Sequence, residues 1–392
     1  MAKSIKSLLT AVFSLCICVL YTSTFAQHTE TKHQEEKMDA GSIIVEHVSD
    51  AHEFHLFTLK NEEDPHRSKH VSIPLPIILY QPGKGFDVFS SSKFEHGHKS
   101  HNGYMLLEKD FLKEHSLENA KDAKGQPLYQ TGKIYSADAN GMPALNAKVY
   151  DFSLTKNAAQ MMIALGLLLF ILLTIAKKYK NGVGVNKAPT GFQNAIEPVI
   201  TFVRDDIAKP SLGGKYKTYL PFLLTVFFFI LINNIFGLIP GAANVTGNIA
   251  FTFILGFISF LVILFSTNKH YWAHIFWPPV PHAIKPILIP VEILGVFTKP
   301  FALIIRLFAN MLAGHIIILS FICLIFIMGA MKVGLGWGSS PLFVALAVFI
   351  YLLEVLVAFI QAYIFTNLTA VFIGQAFEGG HDDTDGHAEV TI

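Results

Sequence analysis

Five polar side chains lie in two long apolar stretches near the C-terminal end: Arg306, Asn310 and His315 in the first, Glu354 and Gln361 in the second. On insertion scales a charge at the centre of a membrane helix costs about 2.5–3.5 kcal/mol, so such a residue usually faces a cavity, a partner or a counter-charge. Left unpaired, each of the five is costly. Clustered, they can satisfy one another, hold water and relay protons, and histidine and carboxylate are the side chains best suited to that relay. Two plainer readings compete: a polar network that only fixes helix packing, and an Arg306 that snorkels to the interface from nearby Lys299-Pro300.

Helical periodicity sorts these residues. With Arg306 as origin and 100° per residue, Asn310 falls at about +40°, Ala313 at about −20° and Ile317 at about +20°. Ala302, Ala309 and Gly314 flank the same side, so the charged face is also a small-residue face that lets another helix approach closely. His315 falls about 180° away. Glu354 and Gln361 are seven apart and share a stripe with Ala347, Ala358 and Phe365.

The apolar elements that hold these residues dominate the composition. Of 392 residues 52% are hydrophobic and 15% charged, and the mean hydropathy is +0.45. That composition implies a multi-span, all-α membrane protein rather than an ordinary soluble domain. A net charge of +1 argues against nucleic acid as a partner. Three cysteines, Cys16, Cys18 and Cys323, cannot build a disulfide framework. There is no C-x-x-C-H, no G-x-S-x-G and no G-x-x-x-x-G-K-[ST], which disfavours haem, hydrolytic and nucleotide chemistry and implies no cofactor.

In chain order, residues 1–26 read as a secretory signal: Lys3 and Lys6, an apolar run from Leu8 to Leu20, then Thr24-Phe25-Ala26. Residues 27–155 read as an exported, histidine-rich domain with a few β-strands, in SIIVEHV, HVSIPLPIILY, FDVFSS and KVYDFSL. Eleven of the seventeen histidines lie between His28 and His115. His47, His52 and His55 form one candidate metal group and His96, His98 and His101 another. Neither has cysteine partners or an H-E-x-x-H pattern, and solvated surface histidines are the preferred reading.

Five spans are expected across residues 156–376, at 158–176, 219–240, 249–267, 300–330 and 341–376. Lys177, Lys178, Lys180 and Lys187 place the loop after the first span in the cytoplasm. Residues 191–209 carry Ile196, Val199, Ile200 and Val203 at helical spacing and read as an interfacial amphipathic helix. His270, His274, Trp272 and Trp277 read as an interfacial belt rather than a metal site. Pro278–Pro290 reads as a bent surface segment. The last two stretches exceed the roughly 20 residues a perpendicular span needs, so two long tilted helices in an antiparallel hairpin are expected, joined by a glycine-rich turn in MKVGLGWGSS. Residues 377–392 read as an acidic cytoplasmic tail.

The stretch TKPFALIIRLFANMLAGHI resembles the signature of the a-subunit family of F-type ATP synthases, roughly K-P-x-x-L-x-x-R-L-x-x-N-x-x-A-G. GFQNAIEPVITFV, FFFILINNIFGLIP, VEILGVFTKP and IQAYIFTNLTAVFIG resemble further parts of the family, so the likeness covers most of the chain after residue 155. The resemblance implies that Arg306 is the essential arginine that separates two half-channels and faces a carboxylate of the c-ring. It implies that Asn310, Gln361, Glu292 and Asn234 line the proton path, and that His315 and Glu354 occupy the two half-channel positions with acid and histidine exchanged relative to some relatives. Implied partners are the c-ring, the b subunits of the peripheral stalk and the rest of the synthase, in a bacterial inner membrane. The chain itself would bind no nucleotide. The exported domain is longer than in compact family members, and the resemblance does not extend to it. A proton-coupled secondary transporter is the alternative, although that class usually shows internal repeats and the arginine stretch has no second copy in the sequence.

Overall fold

The computed structural model describes Gly41, Ile44 and residues 49–377, apart from 60–68, 96, 98, 118–119, 122–126, 139–141, 145–147, 185–187, 190, 240–241, 268, 278–280 and 282–283. The expected signal, the strand in SIIVEHV, His47 and the acidic tail lie outside the described residues.

Short strands occupy the N-terminal part. β1 (Glu53–Leu59) pairs with β2 (Lys69–Pro74). β3 (Pro76–Gln81) lies between β4 (Gly85–Ser90) and β8 (Tyr150–Asp151). β6 (Ile134–Ala137) lies between β5 (Tyr104–Leu106) and β7 (Pro143–Ala144). Every pairing is antiparallel. Alternation along β3 sends Ile77 and Leu79 into a core with Phe94, Tyr104, Leu106 and Ile134. Met105 and Leu107, pointing the other way, pack on Leu112 of α1 (Lys109–Glu114).

The membrane part begins at α2 (Lys156–Lys180), N-capped by Thr155, whose hydroxyl accepts from the Ala158 N–H, and closed by lysines that complement its C-terminal dipole. α3 (Phe192–Phe202) continues through a π-helical turn, Val203–Ala208, into α4 (Lys209–Leu212), where Gly213 breaks the run at φ 53° before α5 (Tyr216–Gly237). Ile196, Val199 and Ile200 of the amphipathic stripe pack against the main core. α6 (Ile249–Phe265) is capped by Asn248, and α7 (Lys269–Phe276) follows. α5 contributes the most buried side chains to this core, among them Leu223, Phe227 and Ile230 at 0% exposure. Four helical stretches are long and apolar enough to cross a membrane, 156–180, 192–237, 285–331 and 333–376, and α6 is a shorter apolar helix of 17 residues.

The last two elements differ from expectation at their ends. α8 runs from Lys285 to Met331, 47 residues, straight through Pro290 and Pro300. The bent surface segment expected up to Pro290 is therefore helical from Lys285. Pro286, in the first turn, has no N–H partner to lose, whereas Pro290 and Pro300 lie inside the helix and each removes one backbone hydrogen bond from it. α9 (Val333–Phe377) starts inside the stretch expected to form a glycine-rich turn. Only Lys332, at φ −155° and ψ 130°, leaves the helical path. One of these glycines serves contact instead: a β-carbon on Gly336 would sit 2.6 Å from Gly329 Cα. At 1.5 Å per residue, helices of 47 and 45 residues reach about 70 Å, more than twice the hydrocarbon thickness.

At the other end of α9, a β-carbon on Gly374 would overlap the Ser211 carbonyl oxygen of α4. Backbone cannot swing aside as a side chain can. Gly374→Ala is expected to destabilise the chain by about 1–3 kcal/mol through overpacking, read as a lowered unfolding temperature in detergent.

Candidate functional site

α8 and α9 pack antiparallel, and their cross-links run in register down the hairpin. Lys299 Nζ donates to Gln375 Oε1 at 3.0 Å, and Asn310 Nδ2 to Gln361 Oε1 at 3.0 Å. Glu354 fills the space beside Gly314, where a β-carbon would lie 2.8 Å from Oε1. Phe321 stacks on Phe343 with ring centroids 6.3 Å apart, and Gly329 meets Gly336 near the tip. Spacing gave the stripe on each helix, and the register of the hairpin brings Asn310 to Gln361 and Gly314 to Glu354.

Within α8 the faces divide by environment. Leu303, Ile304, Leu307 and Met311 are buried against the rest of the protein. Arg306 is exposed together with Ala302, Ala309 and Ala313, the small-residue face read from the sequence. Asn310, one turn on, lies between that face and α9, where it holds the buried Gln361. Gly314 belongs to the α9 side, because its missing side chain admits the Glu354 carboxylate. His315 is half-buried, one residue from that contact.

The interior side of α9 is polar in a line. Glu354, 5% exposed, and Gln361, 2% exposed, bracket Ala358, whose carbonyl accepts from Asn234 Nδ2 of α5 at 3.0 Å. Asn234 Oδ1 and Glu354 Oε1 are buried and have no hydrogen-bond partner among the described residues. Orphaned acceptors of this kind demand a proton or water. Asn234, Glu354, Gln361 and Asn310 are thus brought together over about 10 Å of helix, the rise between residues 354 and 361. Glu292 is not. It lies fourteen residues before Arg306, about 21 Å along α8, half-buried and close enough to Tyr271 of α7 to act on it electrostatically.

Sequence reasoning passed over a second set of polar contacts. The first expected span, 158–176, contains Gln160, which was not among the candidate residues. Its side-chain amide donates to the Ala243 carbonyl at 2.5 Å and accepts from the Ala243 N–H at 2.7 Å. Asn244 donates to the Met311 carbonyl at 3.2 Å and accepts from the Gly247 N–H. Tyr351 donates its hydroxyl to the Leu238 carbonyl at 3.2 Å. These bonds tie the α5–α6 loop to α2, α8 and α9. Gln160, a lone amide in an apolar run, was the signal available.

Of the metal candidates, His47, His96 and His98 lie outside the described residues. His52 Nε2 lies 2.9 Å from Asp151 Oδ2, and His55 lies on β1 opposite Ser72. Among the described residues no three His, Cys, Asp or Glu side chains are placed to hold a metal ion. Desolvation would raise the Asp151 pKa, but hydrogen bonds from His52 and Ser153 outweigh it and hold the carboxyl below its ordinary value.

Four helices long and apolar enough to cross a membrane, the last two carrying a buried polar line behind an exposed arginine, define the class of multi-span membrane proteins with ionisable groups inside the membrane domain. Comparison with known proteins makes the class particular. The family model described as ATP synthase A chain matches residues 159–374, more than half of the chain, and a domain of unknown function matches residues 43–152. ATP synthase subunit a of Chloroherpeton thalassium is 44% identical over 253 residues, 63% of this chain and 74% of that protein. ATP synthase subunit a 2 of Chlorobaculum tepidum is 44% identical over 256 residues, 63% and 69% of the two chains. ATP synthase subunit a of Chlorobium phaeobacteroides strain DSM 266 is 41% identical over 281 residues, 70% and 79%. The chain belongs to the ATP synthase A chain family. Its role is that of subunit a in an F-type ATP synthase, and the transporter alternative is set aside.

Proposed function

We propose that the chain forms two aqueous half-channels against a rotating ring of c subunits and couples proton flow to rotation without binding nucleotide itself. A proton enters from the outer side through the region of His315, Glu354 and Asn234 and protonates a ring carboxylate. The neutral carboxylate turns through lipid and, after nearly a full rotation, releases its proton to the inner half-channel. Arg306 separates the two routes: its fixed positive charge attracts each arriving carboxylate and repels a proton crossing directly. The potential supplies about 2.3 kcal/mol per charge per 100 mV. Asn310 and Gln361 brace the arginine face from behind. Glu292, remote from this group, belongs to the approach on the α7 side.

The observation that supports this reading is the division of the hairpin, with Arg306 exposed among alanines on one face and Glu354 buried on the other beside Asn234 of α5, their Oε1 and Oδ1 atoms without a hydrogen-bond partner among the described residues. Residues 1–26 serve as a signal in this reading, 27–155 form an exported β-rich domain, and 377–392 a cytoplasmic tail in a bacterial inner membrane, with Lys177, Lys178 and Lys180 on the cytoplasmic side. The b subunits and the remaining synthase complete the assembly. Affinity purification of the tagged chain from mild detergent is expected to bring down a ring of small hairpin subunits, cross-linked through Ala309→Cys to the ring's outer helix. Purification without a ring would overturn the proposal.

A further inference from the structure

The sheet β4–β3–β8 is apolar on both faces. Ile77 and Leu79 point into the domain core, while Ile78, Tyr80, Phe86, Val88, Tyr150 and Phe152 share the other face by strand alternation and register. Phe86, Val88, Tyr150 and Phe152 are 69%, 68%, 41% and 62% exposed. The Tyr80 ring lies 4.8 Å from Phe86 and 6.2 Å from Tyr150, so the residues form one continuous patch. A contiguous apolar patch on a water-facing domain marks a contact surface.

Where the patch sits decides what covers it. Only four residues separate β8 from the start of α2, about 13 Å even if fully extended. That connection is not a loose tether. Phe152 N–H donates to the Ile78 carbonyl at 2.9 Å and Leu154 N–H to the Pro76 carbonyl at 3.2 Å. Lys156 N–H donates to the Ala51 carbonyl at 2.8 Å, and Asn157 N–H to Asp50 Oδ1 at 3.2 Å. The patch is thus fixed beside the first turn of a helix long and apolar enough to span a membrane, whose own Met162, Ile163 and Phe170 are exposed. Its composition is that of an interfacial belt, with Lys148 Nζ 5.1 Å above the Tyr150 ring.

We infer that this sheet face rests on the bilayer, its aromatic side chains seated at the headgroup–acyl boundary and Lys148 among the phosphates. The inference needs α2 to be a span but does not depend on the half-channel reading or on which side the domain occupies. The test uses the full chain in its synthase, reconstituted in phosphatidylcholine–phosphatidylglycerol vesicles, with Cys16, Cys18 and Cys323 replaced by serine. Nitroxide labels are placed one at a time at Phe86→Cys, Val88→Cys and Phe152→Cys, with Lys99→Cys, 64% exposed, as the aqueous reference. The expected result is a ratio of oxygen to nickel-chelate accessibility several-fold above the reference at all three positions. A ratio equal to the reference would overturn the inference. So would immobilised labels shielded from both reagents, which would show the face covered by protein. Three positions read independently guard against a single variant that misfolds.

Discussion

Arg306→Ala is expected to reduce proton-driven ATP synthesis to background in inverted vesicles while the chain still assembles. The two halves of that expectation have separate grounds. Assembly survives because the side chain is exposed and the packed face of α8 is made by Leu303, Ile304, Leu307 and Met311, none of which changes. Synthesis fails because removing the fixed charge leaves nothing to hold an unprotonated ring carboxylate at the boundary between half-channels, so protons pass without committing the ring to turn. Arg306→Lys is expected to fall well below the native protein as well. An ammonium keeps the charge but lacks the planar fork, and it can lose its proton in an apolar setting where the guanidinium does not. Synthesis driven by an imposed pH and potential jump measures both variants, with the amount of chain in the purified complex as the control. Normal coupling in Arg306→Ala would sink the role assigned to it.

The hairpin was legible because its chemistry follows helical geometry. Arg306, Asn310 and the alanines fall on one face by 100° steps, and the facing stripe of Glu354 and Gln361 does the same. What periodicity could not give was pairing between helices. Gln361 is held by Asn310, and Glu354 fits against a glycine rather than a polar group; both depend on the register of α8 against α9, which one sequence does not encode locally. Helix ends misled for a related reason. Pro290, Pro300 and the glycines of GLGWG carry strong local preferences, yet α8 and α9 run through them, and at Gly336 close contact with Gly329 is what the missing side chain allows. In the N-terminal part the strands at β2, β3, β4 and β8 were legible from their alternation, whereas β1, β5, β6 and β7 were not singled out. Alternation also failed to tell inside from outside in β4, where Phe86 and Val88 are as apolar as the residues that face the core.

Two glycines separate what holds the fold from what serves the site. At Gly374 an added methyl meets backbone, which cannot yield, and the fold suffers. At Gly314 it meets Glu354, with Oε1 at 2.8 Å, Cδ at 3.0 Å and Cγ at 3.3 Å. That neighbour is the end of a flexible side chain, so Gly314→Ala is expected to leave assembly and unfolding temperature nearly unchanged. The carboxylate, however, must move by a few tenths of an ångström to an ångström, and misplacement on that scale can lower a rate by up to about a hundredfold. Glu354→Asp alone should also impair synthesis, because the shorter arm withdraws the acid from its position. In the Gly314→Ala background the same shortening removes the clash. The double variant is therefore expected to be more active than the product of the two single losses, a coupling that only residues in contact show. Independent losses that simply multiply would mean that the Glu354 carboxylate does not need the place Gly314 leaves for it, and that the inner line from Glu354 to Gln361 is packing rather than path.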